Sequence, residues 1–281
     1  MSETTNNLAI QATKIRKHAI DAVFSAGSGH PGGSLSIADI LSVLYFDEMN
    51  VKPEDPTYPD RDRLVLSKGH CSPGLYGALA EKGFFSKEEL KTFRQVDSRL
   101  QGHPVMNKVP GVDMSTGSLG QGISCAGGMA LAGKIDKKDY RVYAILGDGE
   151  LQEGQVWEAA MFIAHYKLDN LTAFVDFNGL QIDGDITQVM NPTPIDEKFK
   201  AFGWHVIIID GHDYDQIKAA IKEAKETKGK PTVILSKTIK GRGVSFMENE
   251  AMWHGQAPNK EQYEKAINEL NAKLEELEGR K

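Results

Sequence analysis

One stretch of the chain constrains its fold more than any other. An apolar run at 141–146, an amphipathic stretch at 155–166 and a second apolar run at 171–175 predict a β-α-β unit with parallel strands. Asp148, in the middle of Gly-Asp-Gly, follows the first predicted strand, and Asn178 follows the second strand thirty residues later. Both side chains are expected just beyond the carboxyl ends of neighbouring strands, where open α/β sheets bind their ligands.

The two side chains that follow these strands have the chemistry of a site for a hard metal ion. A carboxylate and an amide oxygen suit Mg²⁺ or Ca²⁺ and suit zinc or copper poorly. Because two side chains cannot complete an octahedral shell, other oxygens must share it, and phosphate is the usual source for Mg²⁺. Gly147 and Gly149 let the backbone approach a phosphate, and the predicted helix points its N-terminal amides at the anion. The pattern therefore indicates a metal–diphosphate site, although Gly-Asp-Gly alone is often only a turn after a strand.

Alternating strands and helices continue on both sides of this unit. The expected fold is therefore α/β, a mainly parallel sheet with helices on both faces. The helix at 120–133 is rich in glycine, alanine and serine, so it is expected to pack very closely. Further strands are predicted at 64–66, 205–209 and 231–235, and further helices at 8–26, 37–45 and 213–227. Shorter predicted features are a glycine-rich loop at 27–34, Ser36 as the N-cap of the second helix, a capping box at 86–89 that opens a helix, and a long ordered loop at 98–118.

The bulk properties limit the domain organisation and the partners. We expect one domain over residues 1–281, because no linker divides the chain, with a charged docking helix at about 261–281. The net charge of −6 and the lack of a basic stripe indicate no nucleic-acid partner, and no run of eighteen apolar residues predicts a membrane span. The start of the chain does not have the pattern of a signal peptide, and Cys71 and Cys125 form no Cys-x-x-Cys, so we expect a cytoplasmic location.

Five short motifs rich in glycine and histidine or serine occur along the same chain. They are Ser28–Ser34, Ser67–His70, Gln101–Pro104, Thr116–Gly122 and Trp253–Gly255. Together with Gly-Asp-Gly and Asn178, which match the thiamine-diphosphate motif, they resemble the transketolase family in type and in order. The resemblance covers residues from about 28 to 255. It implies that the α/β fold predicted above is a thiamine-diphosphate-binding domain, the one that holds the diphosphate.

The resemblance also implies which residues hold thiamine diphosphate and its metal. The metal, Mg²⁺ or alternatively Ca²⁺ or Mn²⁺, would be bound by Asp148, Asn178 and the backbone carbonyl of Leu180, with diphosphate oxygens and a water. Gly149 would offer its amide to the diphosphate. Ser118 stands where the family usually has proline, which puts the local backbone geometry there in doubt. The residues expected at the cofactor are His70, Gly117, Leu119, Gly147, Asp148, Gly149, Glu150, Asn178 and His254.

Four histidines lie in glycine-flanked motifs, and the resemblance implies catalytic roles for them. His30 and His254 would contact substrate hydroxyls near the reacting carbons, and His103 would contact the terminal hydroxyl of the donor ketose. His70 would lie near the cofactor. Imidazole suits these roles because it can give or take a proton near neutral pH. The other four histidines of the chain lie outside the motifs and are interpreted as structural or surface residues.

Two glutamates, Glu153 and Glu158, lie five residues apart after Gly-Asp-Gly. Acidic residues are favoured in the first turn of a helix by its dipole, so the two side chains can simply be solvated there. The resemblance implies a second interpretation, in which both glutamates lie at a subunit interface and join an acid network between two active sites. We include both among the expected catalytic residues on the strength of the resemblance.

The carboxylate that thiamine chemistry needs at the aminopyrimidine ring has no candidate in this sequence. In transketolases that glutamate, and the basic residues that hold the sugar phosphate, lie in a second, pyrimidine-binding domain, and we find no second α/β domain. The resemblance therefore implies the N-terminal subunit of a split transketolase. This subunit would transfer a two-carbon ketol unit from a ketose phosphate to an aldose phosphate only with a C-terminal partner, as an α₂β₂ assembly.

Two alternatives to the split transketolase remain open from the sequence. The α subunit of a 2-oxo acid dehydrogenase also carries Gly-Asp-Gly followed by Asn, although the motifs at 28–33, 67–70 and 253–255 argue against it. A catalytically silent diphosphate-binding module that regulates a partner is the other alternative. The complete ligand set and the four motif histidines argue against such a module.

Overall fold

A parallel sheet forms the centre of the computed structural model, which describes residues 2–279. In chain order the strands are β1 (Arg63–Leu66), β2 (Val142–Gly147), β3 (Leu171–Phe177), β4 (Leu180–Gln181), β5 (Gly184–Asp185), β6 (His205–Asp210) and β7 (Thr232–Lys237). The sheet has the strand order β1, β2, β3, β7, β6, and every neighbouring pair is parallel. The other two strands, β4 and β5, form a small antiparallel hairpin.

Helices occupy most of the chain between the strands. The α-helices are α1 (Glu3–Ala26), α2 (Pro31–Ser36), α3 (Ala38–Val43), α4 (Ser72–Lys82), α5 (Gln121–Ile135), α6 (Gly154–His165), α7 (Ile186–Val189), α8 (Ile195–Ala201), α9 (Tyr214–Glu226) and α10 (Lys260–Glu278). A π-helical turn, Leu44–Glu48, extends α3. Short 3₁₀ turns lie at Gly69–Cys71, Lys87–Thr92, Gly149–Gln152 and Ala251–His254.

The two faces of the sheet are buried in two separate apolar clusters. Tyr143 and Ile145 of β2 lie in one cluster with residues of α1, α3, α4 and α9. Ala144 and Leu146 of the same strand lie in the other cluster with residues of α5, α6 and α8. Alternate residues of a strand point to opposite faces, so this division confirms the predicted parallel sheet with helices on both faces.

Most predicted elements are confirmed to within a few residues, but the region around Ser36 is not. The predicted loop at 27–34 is wrong beyond His30, because Pro31 is the first residue of α2 and its fixed φ suits that position. Ser36 is the last residue of α2 and does not cap α3. Its hydroxyl donates instead to the Gly33 carbonyl and to the Asp176 carboxylate.

The predicted capping box at 86–89 is only half formed. Ser86 caps the turn that follows, and its hydroxyl accepts from the Glu88 amide. The turn is 3₁₀ rather than α-helical, and the Glu89 carboxylate binds Arg99 in a bidentate pair instead of reaching back to Ser86. The segment 98–118 contains no helix or strand, as predicted.

Helix α5 packs as closely as its small residues predicted. A Cβ atom added to Gly122 would lie 2.6 Å from the Cα of Ser67, and one added to Gly127 would lie 2.8 Å from the Cγ1 of Ile163. Only glycine therefore allows α5 to approach both β1 and α6.

Helix α10 packs along α1 and begins with a complete capping box between Asn259 and Gln262. The Tyr263 hydroxyl donates to Asp21, and the Asn6 amide donates to the Leu277 carbonyl. Residues 280 and 281, the end of the predicted docking helix, lie outside the described residues. Over residues 2–279, no helix has the length and apolar character that crossing a membrane requires.

Candidate active site

A cavity of about 380 Å³ opens at the carboxyl ends of the central strands. The segments that follow β1, β2, β3 and β7 all contribute to its wall, together with the start of α2 and the 3₁₀ turn that ends at His254. This is the edge of an open parallel sheet where ligands are expected. The lining residues are His30, Gly33, Lys68, His70, Gly117, Leu119, Gly147, Asp148, Gly149, Glu150, Gln152, Glu153, Asn178, Leu180, Gln181, Ile182, Asp183, Lys240 and His254.

Asp148 lies at the floor of this cavity and is 2% exposed. Its Oδ1 accepts from the Gly149 amide at 2.8 Å, and its Oδ2 accepts from the Gly179 amide at 2.6 Å. Burial, together with the nearby Asp176 carboxylate, raises the pKa of Asp148 to about 6. A buried carboxylate of this kind gains stability from a cation placed beside it.

Gly149 and the segment after it differ from the sequence prediction. The Gly149 amide, expected to face a diphosphate, donates to Asp148 instead. A 3₁₀ turn, Gly149–Gln152, follows Asp148, and α6 begins only at Gly154. The predicted array of helix N-terminal amides at Gly-Asp-Gly is therefore wrong, because the first turn after the strand is not part of the helix.

Asn178 is held in a fixed orientation beside Asp148. Its Nδ2 donates to Asp176 Oδ2 at 2.9 Å, and its Oδ1 accepts from the Leu180 amide at 3.1 Å. Since the Asp176 carboxylate can only accept, it determines which end of the Asn178 amide is nitrogen. The β3 register places Asp176 directly beside Gly147 of β2, which brings Asn178 and Asp148 to the same edge, as predicted.

Asp176 is the centre of a buried network beneath the cavity. The Lys68 ammonium lies 2.5 Å from Asp176 Oδ2, and the Thr238 hydroxyl donates to Oδ1. Lys68 also donates to the Gly33 carbonyl at 3.1 Å. Burial raises the pKa of Asp176, but the Lys68 charge and these hydrogen bonds outweigh it and lower the pKa overall. Four segments of the chain are thereby joined at one carboxylate.

Lys240 is the second buried lysine of the cavity and is 3% exposed. Its Nζ lies 3.4 Å from His254 Nδ1, and burial together with the charge of Lys68 lowers the pKa of Lys240. Sequence reasoning assigned no role to Lys240, Lys68 or Asp176. For Lys240 the available signal was its position, since Thr-Ile-Lys-Gly follows a predicted strand just as Gly-Asp-Gly does.

Three of the four motif histidines form a cluster at the cavity. The ring centroid of His70 lies 5.1 Å from that of His30 and 5.0 Å from that of His254, and the His30 and His254 rings are 5.4 Å apart. Burial is the main cause that lowers the pKa of His30 to about 4 and of His254 to about 3, and the pKa of His70 well below its usual range. All three rings are therefore neutral at pH 7 and can accept a proton or hold a hydroxyl.

His103 lies apart from this cluster and is exposed. A Cβ atom added to Gly117, which lines the cavity, would lie 3.3 Å from the His103 ring. Arg94 connects the two parts, because its Nη2 lies 3.3 Å from His30 Nδ1 and its charge lowers the pKa of both His30 and His103, after the larger effect of burial. The Arg94 Nη1 also donates to Ser28 at 2.7 Å.

The glutamates expected at the site lie in different environments. Both oxygens of buried Glu150 accept hydrogen bonds from the protein, from Ser67 and the Gly120 amide on one side and the Gly147 amide on the other. The Glu150 side chain therefore ties the Gly-Asp-Gly turn to β1 and the start of α5. Glu153 lines the cavity but is exposed, and Glu158 is exposed on α6 outside the cavity.

The donor set at the cavity floor fits a hard divalent cation. Asp148 supplies the single carboxylate, and Asn178 and Leu180 line the cavity beside it. No group of three or more His, Cys, Asp or Glu side chains with metal-binding geometry occurs over residues 2–279, so a metal here would need oxygen ligands from elsewhere. The buried Lys240 ammonium at the same cavity suits an anionic group such as a diphosphate, whereas the charge of Lys68 is balanced by Asp176.

Comparison with known proteins assigns the chain to a family. Residues 7–275 match the family described as transketolase, thiamine diphosphate binding domain. The chain is 49% identical, over 96% of its length and 98% of the relative, to the 6-deoxy-6-sulfo-D-fructose transketolase subunit of Clostridium sp. (strain MSTE9). It is 45% identical to an apulose-4-phosphate transketolase subunit of Phocaeicola vulgatus, covering 96% of each.

Longer transketolases match the chain over part of their length only. The human transketolase is 46% identical over 94% of this chain, and the chain spans 42% of that protein. The crystal structure of the Campylobacter jejuni transketolase superimposes with a TM-score of 0.89 at 36% identity, and the chain covers 46% of it. The chain thus spans less than half the length of these transketolases. None of these similarities favours the dehydrogenase alternative. The chain belongs to the transketolase family, the ketol-transferring enzymes, and is of their N-terminal subunit type with a thiamine diphosphate binding domain.

Proposed function

We propose that this chain works as the metal- and diphosphate-binding subunit of a two-component transketolase that moves a two-carbon ketol unit from a ketose phosphate to an aldose phosphate. One observation carries the proposal. Asp148 and Asn178, from adjacent parallel strands, and three neutral histidines face one cavity that also holds two buried lysines. The residues that we propose for binding the metal, binding the anion and transferring protons thus line one cavity of about 380 Å³.

Asp148, Asn178 and the backbone carbonyl of Leu180 would hold the metal in this proposal. Mg²⁺ is our first choice, because one carboxylate and neutral oxygens leave room for diphosphate oxygens and a water in its shell. Ca²⁺ or Mn²⁺ could occupy the same oxygen ligands. The orientation of the Asn178 amide, set by Asp176, supports the proposal because it leaves the oxygen end on the side of Leu180.

Thiamine diphosphate would lie along the cavity wall that the remaining predicted residues form. Gly117, Leu119, Gly147 and Gly149 would give it close backbone approach, and His70 would lie beside it. When bound, the cofactor supplies the nucleophilic carbon and the electron sink of the reaction. We assign the Glu150 side chain a supporting role, since both of its oxygens are already occupied by protein donors.

The motif histidines would position the substrate and handle its protons. Neutral His30 and His254 can each accept a proton from a sugar hydroxyl and return it later. Exposed His103 would hold the terminal hydroxyl of the donor ketose at the cavity edge. Arg94, which contacts His30, would keep that ring oriented toward the cavity.

A C-terminal subunit with a pyrimidine-binding domain would complete the site, and we propose an α₂β₂ assembly. The two relatives named as subunits support this arrangement, because the chain covers almost their full length. Glu153 and Glu158 would lie at the interface between two copies, where both are exposed in the structure of the single chain. Ile182 and Met190, 66% and 62% exposed near the cavity, would be covered on assembly.

The anionic group at the distal end of the sugar substrate would be bound outside the cavity of this chain. The two relatives named as subunits act on different sugars by name, a sulfo-sugar and a sugar phosphate, although both resemble this chain along almost its whole length. We propose sugar phosphates as the substrates. Because similar subunits carry names with different anionic sugars, we propose that the C-terminal partner binds the distal anion. A cytoplasmic location is also part of the proposal, supported by two cysteines that are both unpaired, Cys71 and Cys125.

Calorimetry on the chain with its C-terminal partner tests the proposed site. Thiamine diphosphate should bind only in the presence of Mg²⁺, Ca²⁺ or Mn²⁺, and a chelator should release it. Binding that does not depend on a divalent cation would refute the assignment of Asp148 and Asn178. A chain that binds the cofactor with its metal but assembles with no partner and transfers no ketol unit would instead be the silent module.

A further inference from the structure

His212 is a partly buried histidine outside the transketolase motifs, in the turn between β6 and α9. Its Nδ1 lies 2.7 Å from Asp39 Oδ2, and its Nε2 lies 2.9 Å from the backbone nitrogen of Ile239. A backbone amide can only donate, so Nε2 must present its lone pair to Ile239. The proton of the neutral ring is then on Nδ1, where it is donated to Asp39. These two contacts assign one tautomer to His212.

Asp39 is also fixed by two other side chains, Arg16 and Tyr214. Arg16 Nη2 lies 2.5 Å from its Oδ2, and the Tyr214 hydroxyl donates to its Oδ1 at 2.6 Å. Burial raises the pKa of Asp39, but the charge of Arg16 and the hydrogen bond from His212 outweigh it and hold the pKa well below its usual range. Arg16 also donates to the Leu35 carbonyl of α2. His212 is therefore attached to an ionised, immobile acceptor between α1 and α3.

The amide that His212 binds belongs to the wall of the candidate active site. Ile239 lies between Thr238, which donates to Asp176, and Lys240, which lines the cavity. The same segment is tied to α2, because the Gly241 amide donates to the Gly32 carbonyl at 3.0 Å. Over residues 2–279, the hydrogen bond to His212 is the side-chain contact that holds the backbone between these two site residues.

We propose that His212, in its neutral Nδ1-protonated form, is a positioning residue for Lys240 and Thr238. This inference rests on the proposed function, because Lys240 matters only if the cavity holds an anionic cofactor. Without His212 the Ile239 amide would lose its acceptor, and the segment would no longer hold the Lys240 ammonium at the cavity. The cofactor would then bind more weakly although no residue that touches it has changed.

Two substitutions at His212 distinguish the effect of its hydrogen bonds from the effect of its side-chain packing. In His212→Leu both bonds are lost, and we expect the affinity for thiamine diphosphate with Mg²⁺ to fall about tenfold or more. In His212→Gln the amide can still donate to Asp39 and accept from Ile239, so the loss should be about threefold or less. His205→Leu, at a partly exposed histidine paired with Glu223, is the matched control and should not change the affinity. An unchanged affinity in folded His212→Leu, or an equal loss in both variants, overturns the proposal.

Two measurements on the wild-type chain do not depend on the cofactor or on the variants folding. A long-range ¹H–¹⁵N spectrum should show the His212 ring protonated on Nδ1 only, and a ring protonated on Nε2 overturns the proposal. Hydrogen exchange at the Ile239 amide should be slow, and fast exchange there overturns it as well. If the wild-type chain with its partner fails to bind thiamine diphosphate while both signatures are found, the proposed function fails and the role of His212 in holding the segment stands.

Discussion

Lys68 and Asp176 form an ion pair at 2.5 Å directly beneath the residues expected to bind the metal, and both side chains are almost completely buried. Asp176 also accepts from Asn178, so the same carboxylate neutralises a buried lysine and orients a metal ligand. A buried pair of this kind is costly to break, because removal of one partner leaves the other charged and desolvated. The pair therefore links the stability of the fold to the geometry of the site.

Removal of Lys68 should be strongly destabilising. We expect Lys68→Met to lower the free energy of unfolding by about 3 kcal/mol, since Asp176 would remain buried with only neutral donors. In urea unfolding, the loss in the double variant with Asp176→Asn should be smaller than the sum of the two single losses. Lys134→Met, which removes a partner of Asp169 whose side chain is 37% exposed, should cost much less. Additive losses at Lys68 and Asp176 would show that the two side chains are not coupled.

Asp148→Ala should abolish metal-dependent binding of thiamine diphosphate. The variant removes the single charged ligand proposed for the metal, so the diphosphate charge would be poorly neutralised. Asn178→Ala should have the same effect to a smaller degree, because a neutral ligand is lost. Calorimetry on the assembled enzyme measures both, with Asp139→Ala, an exposed aspartate before β2, as control. An affinity in Asp148→Ala equal to that of the wild type would remove the metal assignment.

His103→Ala should weaken the use of the donor ketose more than the binding of cofactor. His103 is exposed at the cavity edge and lies apart from the three clustered histidines, which suits contact with a terminal hydroxyl of the donor. Steady-state kinetics should show a raised KM for the donor, about tenfold for one lost hydrogen bond at a binding site. A normal donor KM with weakened cofactor affinity would assign His103 to the cofactor instead.

The neutral histidines predict that the chain is less stable in mild acid. The pKa of His30 is lowered from 6.5 to about 4 and that of His254 to about 3, so the unfolded state binds more protons than the folded state at intermediate pH. Stability should therefore fall as the pH falls from about 6.5 to about 4.

Urea unfolding at pH 5 and pH 7.5 measures this effect. His254→Gln should reduce the difference between the two pH values by about 1–2 kcal/mol after allowance for solvent screening. His165→Gln, at an exposed histidine at the end of α6, is the control. A difference that His254→Gln leaves unchanged would mean that His254 is not held neutral in the folded chain.

The strand and helix pattern was predictable because each element has a strong local signal. Buried parallel strands appear in the sequence as apolar runs. The glycines of α5 predicted its close contact with neighbouring segments. The boundary between α2 and α3 was not predictable in this way. Ser36 has the residue type of an N-cap, but its hydroxyl is used by Asp176, which lies 140 residues away.

The residues of the candidate site were predictable where a motif lies at the end of a strand. They were not predictable where contacts between distant segments determine the position of a side chain. Asp148 and Asn178 follow two apolar runs at β-α-β spacing, so their meeting at one edge could be foreseen. His212 and Asp39 carry no local signal, since their pairing depends on the packing of three helices and a turn. At Gly149 the motif did not predict that the backbone amide donates to the neighbouring Asp148 side chain.

The most direct test of the account is an assay of two-carbon ketol transfer with the purified chain, Mg²⁺ and thiamine diphosphate. Transfer is measured before and after addition of a separately purified C-terminal partner, identified beforehand by a pull-down with this chain. In the proposal the chain supplies the metal and diphosphate residues, and the partner supplies the acid at the aminopyrimidine ring. We expect no transfer by the chain alone, and transfer together with tighter cofactor binding once the partner is added. Full activity of the chain alone, shown to be free of partner, would contradict the account and require another source for that acid.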